Sequence, residues 1–142
     1  MLAFPLKQCY INQNFYKGDD MPNIIKLLIV DDEETLRILV RSELEERGYE
    51  VDEAESGEKA LEKLRSSKYN LVILDIRMPG MDGMEVLKKI REENLAPKVI
   101  MLTGVEELKI ARDSLNLGAN DFLTKPYDIR TLLSCIERVL SE

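Results

Sequence analysis

From Ile24 to the end of the chain, short runs of aliphatic and β-branched residues alternate with longer stretches of helical periodicity, and few architectures accept that order. Such alternation builds βαβ units around a mostly parallel sheet. The strand candidates are Ile24 to Val30, Glu50 to Ala54, Asn70 to Leu74, Lys98 to Leu102 and Asp121 to Leu123. The first, third and fourth are nearly continuous apolar runs, as expected of strands buried on both faces. Helices are expected to begin after Asp32, Ser56, Asp82, Gly104 and Tyr127, and the last stacks Ile129, Leu132, Leu133, Ile136, Val139 and Leu140 on one face. The result is a five-round α/β sandwich. Gly48, Gly57, Gly83 and Gly118 fall at element boundaries and need no functional role.

A chain of 142 residues, 44% of them hydrophobic, can bury one substantial core. Residues 1–20 carry neither periodicity and end in turn-forming residues, so the expected division is a poorly ordered N-terminal extension over 1–21 and one folded domain over 22–142. Met21, just ahead of the first strand, is an alternative start. The net charge of −7 opposes direct attraction to nucleic acid or an anionic membrane and favours a protein partner. Cys9 and Cys135 form no CxxC and the chain has no His, which removes zinc sites and disulfide scaffolds. No apolar run approaches the roughly 18 to 20 residues of a membrane helix, and no signal peptide is evident, so the expected compartment is a reducing cytoplasm.

In open α/β sheets, ligands gather beyond the carboxyl ends of the strands. Here those ends carry Asp31 and Asp32, Asp75, Thr103, and Lys125 followed by Pro126. Singly, each has an ordinary explanation: Asp32 and Thr103 as helix caps, Asp75 as a turn starter, Lys125 as a solvated charge. Together they do not, because converging carboxylates raise one another's pKa unless a cation joins them. The donors are all hard oxygens, selecting magnesium, calcium or manganese over zinc, and magnesium, which keeps several waters and binds phosphate, suits few protein carboxylates best. Phosphoryl transfer needs an aligned nucleophile and positive charge on the phosphoryl oxygens. Asp75 is the expected nucleophile, Lys125 the second cation, and Thr103 the donor that couples the phosphoryl group to the following loop.

The strings LLIVDDEE, LVILDIRMPGMDG, VIMLTG and FLTKP resemble, in order and spacing, the receiver domains of bacterial two-component response regulators, chemotaxis regulators among them. The likeness covers about residues 24–141. It implies a flavodoxin-like sheet of five parallel strands in the order 2-1-3-4-5 with helices on both faces. It also implies that Asp75 takes a phosphoryl group from a phosphohistidine on a sensor histidine kinase or histidine phosphotransfer protein, with Mg2+ as cofactor. By the same resemblance Asp32 and Asp75 are direct metal ligands, Arg77 contributes a backbone carbonyl, and Asp31 acts through water. Pro126 is expected after a cis bond and Phe122 is the switching aromatic that responds to Thr103. Arg77 and Val105 are expected to tune phosphate lifetime. Such a domain is a signalling phosphoacceptor rather than an enzyme, with self-catalysed phosphorylation and dephosphorylation at most.

A flavin-binding flavodoxin shares the architecture, but its phosphate loop is here the acidic DDEE. A haloacid-dehalogenase-like phosphatase needs an acid two residues after the nucleophile, where Arg77 stands. No P-loop string exists. The alternative in another class is a degenerate receiver acting only as a protein-binding module, against which the intact acidic pair, Thr103 and Lys125 argue. On the helix after the acidic pair, Leu36, Leu39, Val40 and Leu44 form the expected buried stripe, leaving Ile38 as a candidate for kinase docking. The expected output is a stand-alone regulator or part of a longer one, acting on a downstream output protein or a missing effector domain. The surface of the fourth helix, fifth strand and fifth helix is the expected signalling face, with homodimerisation there compatible with it.

Overall fold

The structure, a computed structural model, describes residues 24–142. The expected N-terminal extension over 1–21 and Cys9 lie outside the described residues. Within these bounds the elements run β1 (Lys26–Val30), α1 (Glu34–Glu46), β2 (Glu50–Ala54), α2 (Gly57–Ser66), β3 (Leu71–Asp75), α3 (Gly83–Glu93) and β4 (Lys98–Thr103). A 3-10 turn (Val105–Glu107), α4 (Leu108–Asn116), β5 (Asp121–Thr124) and α5 (Ile129–Leu140) complete them. All neighbouring strands pair in parallel, in the order β2-β1-β3-β4-β5, so the flavodoxin-like expectation holds.

Side chains alternate across a strand with a period of two, and the two faces of this sheet sort accordingly. Leu28, Val30, Val72, Leu74, Val99 and Met101 pack against Leu61 and Leu64 of α2, Val86, Leu87 and Ile90 of α3 and Ala111 of α4. Leu27, Ile29, Leu71, Ile73, Ile100 and Leu102 meet Val40 and Leu44 of α1 and Leu132, Ile136 and Val139 of α5. Both faces of β1, β3 and β4 are thus covered, which is why their sequences read as unbroken apolar runs. Each fully buried aliphatic side chain contributes about 1.5–3 kcal/mol.

Several helix starts follow from side-chain caps. Ser56 accepts from the Lys59 N–H, Asp128 from the Thr131 N–H, and Asp82 with Glu85 closes a capping box. These caps satisfy backbone donors that a helix leaves unpaired, each contributing on the order of 1 kcal/mol. The start after Tyr127 falls one residue later than expected, because Asp128 is the cap.

Four expectations change. Asp32 is not a cap: Glu33 occupies that position and makes no side-chain cap bond. Leu39 is not in the buried stripe of α1 but is 60% exposed, because it flanks rather than faces the contact of α1 with the sheet. The segment after Gly104 begins as a 3-10 turn, with the α-helix starting only at Leu108. The third and fourth strands run one residue past the expected ranges, so that Asp75 and Thr103, expected at the strand ends, are the last residues within β3 and β4.

Candidate functional site

The parallel arrangement puts every strand's carboxyl end at the same edge, and the loops that leave it bring the singled-out residues together. Asp31, directly after β1, is fully buried, with its Oδ1 accepting from the Glu33 N–H at 3.0 Å. Arg37 of α1 donates to the Asp31 carbonyl at 2.8 Å and to Glu53 of β2 at 3.0 Å, which fixes the acidic turn from behind. Asp75 is buried, and its backbone is held by the Ile76 N–H bonding Leu102 O at 2.9 Å. Carboxylate oxygens of Asp31, Asp32 and Asp75 lie within 4.8 Å of one another, with only Asp32 exposed.

Lys125 closes this group. Its Nζ donates to Asp31 Oδ2 at 2.9 Å and to Asp75 Oδ2 at 3.2 Å. Burial alone would lower the lysine's pKa, but its bonds and attraction to the two carboxylates outweigh that and raise it. Asp75 moves the other way from an ordinary carboxylate: burial, then repulsion from Asp31, push it up to about 6 despite Lys125. One lysine therefore does not neutralise the three acids. An added divalent cation would, and oxygen donors with neither His nor Cys among them fit a hard ion such as magnesium.

Thr103 is buried, and its hydroxyl donates to Gly104 O at 3.1 Å rather than capping the following turn. Its carbonyl accepts from the Lys125 N–H at 2.7 Å, tying β4 to the lysine-bearing loop. Phe122 lies beside Met101 in the β4–β5 register and packs against the α2–α4 side of the core. The Lys125–Pro126 peptide bond is cis, as expected. The backbone of Arg77 works slightly against the rise in the Asp75 pKa, whereas its side chain reaches away to Glu107. Val105 is exposed and lines a cavity of about 520 Å³ with Glu33, Leu36, Glu106, Lys125 and Tyr127.

Three residues escaped the sequence reading. Gly83 was given no functional part, yet a Cβ there would stand 2.2 Å from Asp75 O, so α3 can start this close to the phosphoacceptor candidate only with glycine. Glu107 was passed over within the helix expected after Gly104, yet it is buried at the end of the 3-10 turn. Tyr127 has a buried hydroxyl and a pKa pushed up to about 12, chiefly by burial. Of these, only Gly83 left a readable signal, as the glycine directly after the capping aspartate.

Residues 27–137 match the response regulator receiver domain. The chain belongs to that family. The receiver domain is 39% identical over 121 residues to the transcriptional regulatory protein ResD of Bacillus subtilis (strain 168), covering 85% of this chain and 50% of ResD. It therefore spans about half the length of that relative. It is also 35% identical over 117 residues to the chemotaxis protein CheY of the same organism, covering 82% of this chain and 98% of CheY. Among solved structures, a CheY-like response regulator receiver domain protein from Methanospirillum hungatei JF-1 superposes with a TM-score of 0.79 at 35% identity. That match covers 84% of this chain and 95% of the other. The receiver domain thus has the family's fold and an acidic cluster of the kind at which the family typically binds Mg2+, consistent with a phosphoacceptor role in two-component signalling.

Proposed function

We propose that Asp75 is the phosphoacceptor of this receiver domain, residues 22–142, and takes its phosphoryl group from a phosphohistidine on a sensor histidine kinase or histidine phosphotransfer protein. The observation that carries this is the buried Asp75 carboxylate bonded to Lys125 beside Asp31 and Asp32. An Asp75 oxygen attacks phosphorus, the P–N bond breaks with its electron pair leaving on the imidazole nitrogen, and an acyl phosphate forms. Asp31, Asp32, Asp75 and the Arg77 carbonyl are the proposed holders of Mg2+, which when bound supplies charge that screens the anionic carboxylate from the anionic donor. Lys125 exchanges a carboxylate partner for a phosphoryl oxygen. The Thr103 hydroxyl, leaving Gly104 O for a second phosphoryl oxygen, draws the turn after β4 with it and lets Phe122 respond.

The exposed pair Ile38 and Leu39 on α1, 52% and 60% exposed, flanks the site and offers the kinase an apolar footing. The surface of α4, β5 and α5 is the proposed signalling face toward an output protein or an effector domain.

The test is incubation with Mg2+ and acetyl phosphate, or with a phosphorylated kinase, followed by intact mass. The wild type is expected to gain one phosphate and Asp75→Ala none; an adduct that survives in Asp75→Ala refutes the assignment. In the kinase arm alone, Ile38→Ala with Leu39→Ala is expected to slow transfer, and unchanged transfer removes the docking surface.

A further inference from the structure

Glu107 is a carboxylate with no place in the chemistry above, yet it is 5% exposed. Its one side-chain partner among the described residues is the guanidinium of Arg77, whose own side chain is 77% exposed. The pair spans the two loops beside Asp75, joining the segment after β3 to the 3-10 turn after β4. That turn is closed by the Glu107 N–H bonding Gly104 O at 3.1 Å, and the Glu107 carboxylate folds back over Gly104, where a Cβ would lie 2.8 Å from Oε1. A buried carboxylate is tolerated while a cation faces it and becomes costly once that cation leaves.

Resting on the phosphoacceptor reading of Asp75, we propose that Glu107 is a positioning residue: its pair with Arg77 clasps the β4–α4 turn shut, and an aspartyl phosphate opens it by claiming Arg77. Arg77 is the residue for such an exchange because it stands two positions after Asp75, on the loop that leaves β3, and its side chain is 77% exposed. A group on Asp75 therefore lies within reach of its side chain. A guanidinium binds a dianionic phosphoryl group in bidentate fashion, more strongly than a single carboxylate oxygen. Once Arg77 turns, Glu107 is left buried without a counter-charge, and the turn re-exposes it to water. Thr103 and Glu107 then act on the same four-residue segment, the threonine by pulling on it and the glutamate by ceasing to hold it.

The experiment is hydrogen exchange of the full chain read by mass spectrometry over 104–108, with and without Mg2+ and acetyl phosphate, while intact mass reports the adduct. In the wild type, phosphorylation is expected to speed exchange in the turn about tenfold, because exchange follows the free energy of local opening. Glu107→Gln is expected to show the fast turn before phosphorylation and less than about a twofold further change, with the adduct still formed and α5 exchange unaltered. Arg77→Ala, which removes an exposed side chain, gives the same fast unphosphorylated turn and guards against a misfolded Glu107→Gln. A turn that stays protected in both variants overturns the proposal, as does a wild-type adduct that leaves the turn unmoved. A wild type with no adduct is the separate failure of the phosphoacceptor reading, and this inference falls with it.

Discussion

At the scale of single residues, the burial of the Asp75 carboxylate carries an electrostatic cost. Its pKa stands near 6 instead of 3.8, chiefly because of burial and then Asp31. A raised carboxylate pKa means that the folded state resists ionisation. The penalty is absent below about pH 4 and complete once pH has risen through 6, and two units correspond to about 3 kcal/mol at most. Without divalent cations, Asp75→Asn is therefore expected to exceed the wild type in stability by about 1–3 kcal/mol at pH 7.5, with the advantage shrinking toward pH 4. Urea denaturation at several pH values measures this, and an advantage independent of pH contradicts it. Asp31, Asp32, Asp75, Thr103 and Lys125 were legible in the sequence because each ends a recognisable strand. Glu107 was not: beside Glu106 it has the composition of a solvated helix, and its burial depends on a turn geometry that local sequence does not specify.

At the scale of elements, α3 shows how closely the scaffold is fitted to the site. Its capping box sets the first turn, and the Gly83 N–H bonds Ile76 O at 2.8 Å, so the helix starts against the backbone of Asp75. Gly83→Ala is expected to cost about 1–3 kcal/mol by overpacking and also to slow phosphorylation, since the clash falls on the Asp75 carbonyl. Equal stability and equal phosphorylation by acetyl phosphate would show that the helix can retreat freely. The strands were readable because burial on both faces leaves an apolar run. The start of α4 and the exposure of Leu39 were not, because helical periodicity gives a helix's apolar side but not how wide a stripe its neighbours cover.

For the whole molecule, a cation held at the Asp31, Asp32 and Asp75 cluster would couple the fold to the site. A ligand that binds only the folded state stabilises it by about 2.7 kcal/mol at a hundredfold excess over its Kd. Mg2+ is thus expected to raise the Tm of the wild type by several degrees and to do so far less in Asp32→Ala, measured by differential scanning calorimetry against a potassium chloride control. An equal rise in both would mean that Asp32 holds no ion. The two bonds of Lys125 carry a further consequence for the electrical state of the domain. Three acids against one ammonium leave the centre two units negative, and a single divalent ion brings it to neutrality. Converting the Asp75 carboxylate into a dianionic acyl phosphate then restores one uncompensated unit. On the proposed reading the signalling and resting forms differ by a discrete electrostatic quantum, lodged at the carboxyl edge of the sheet where the loops that carry these acids meet.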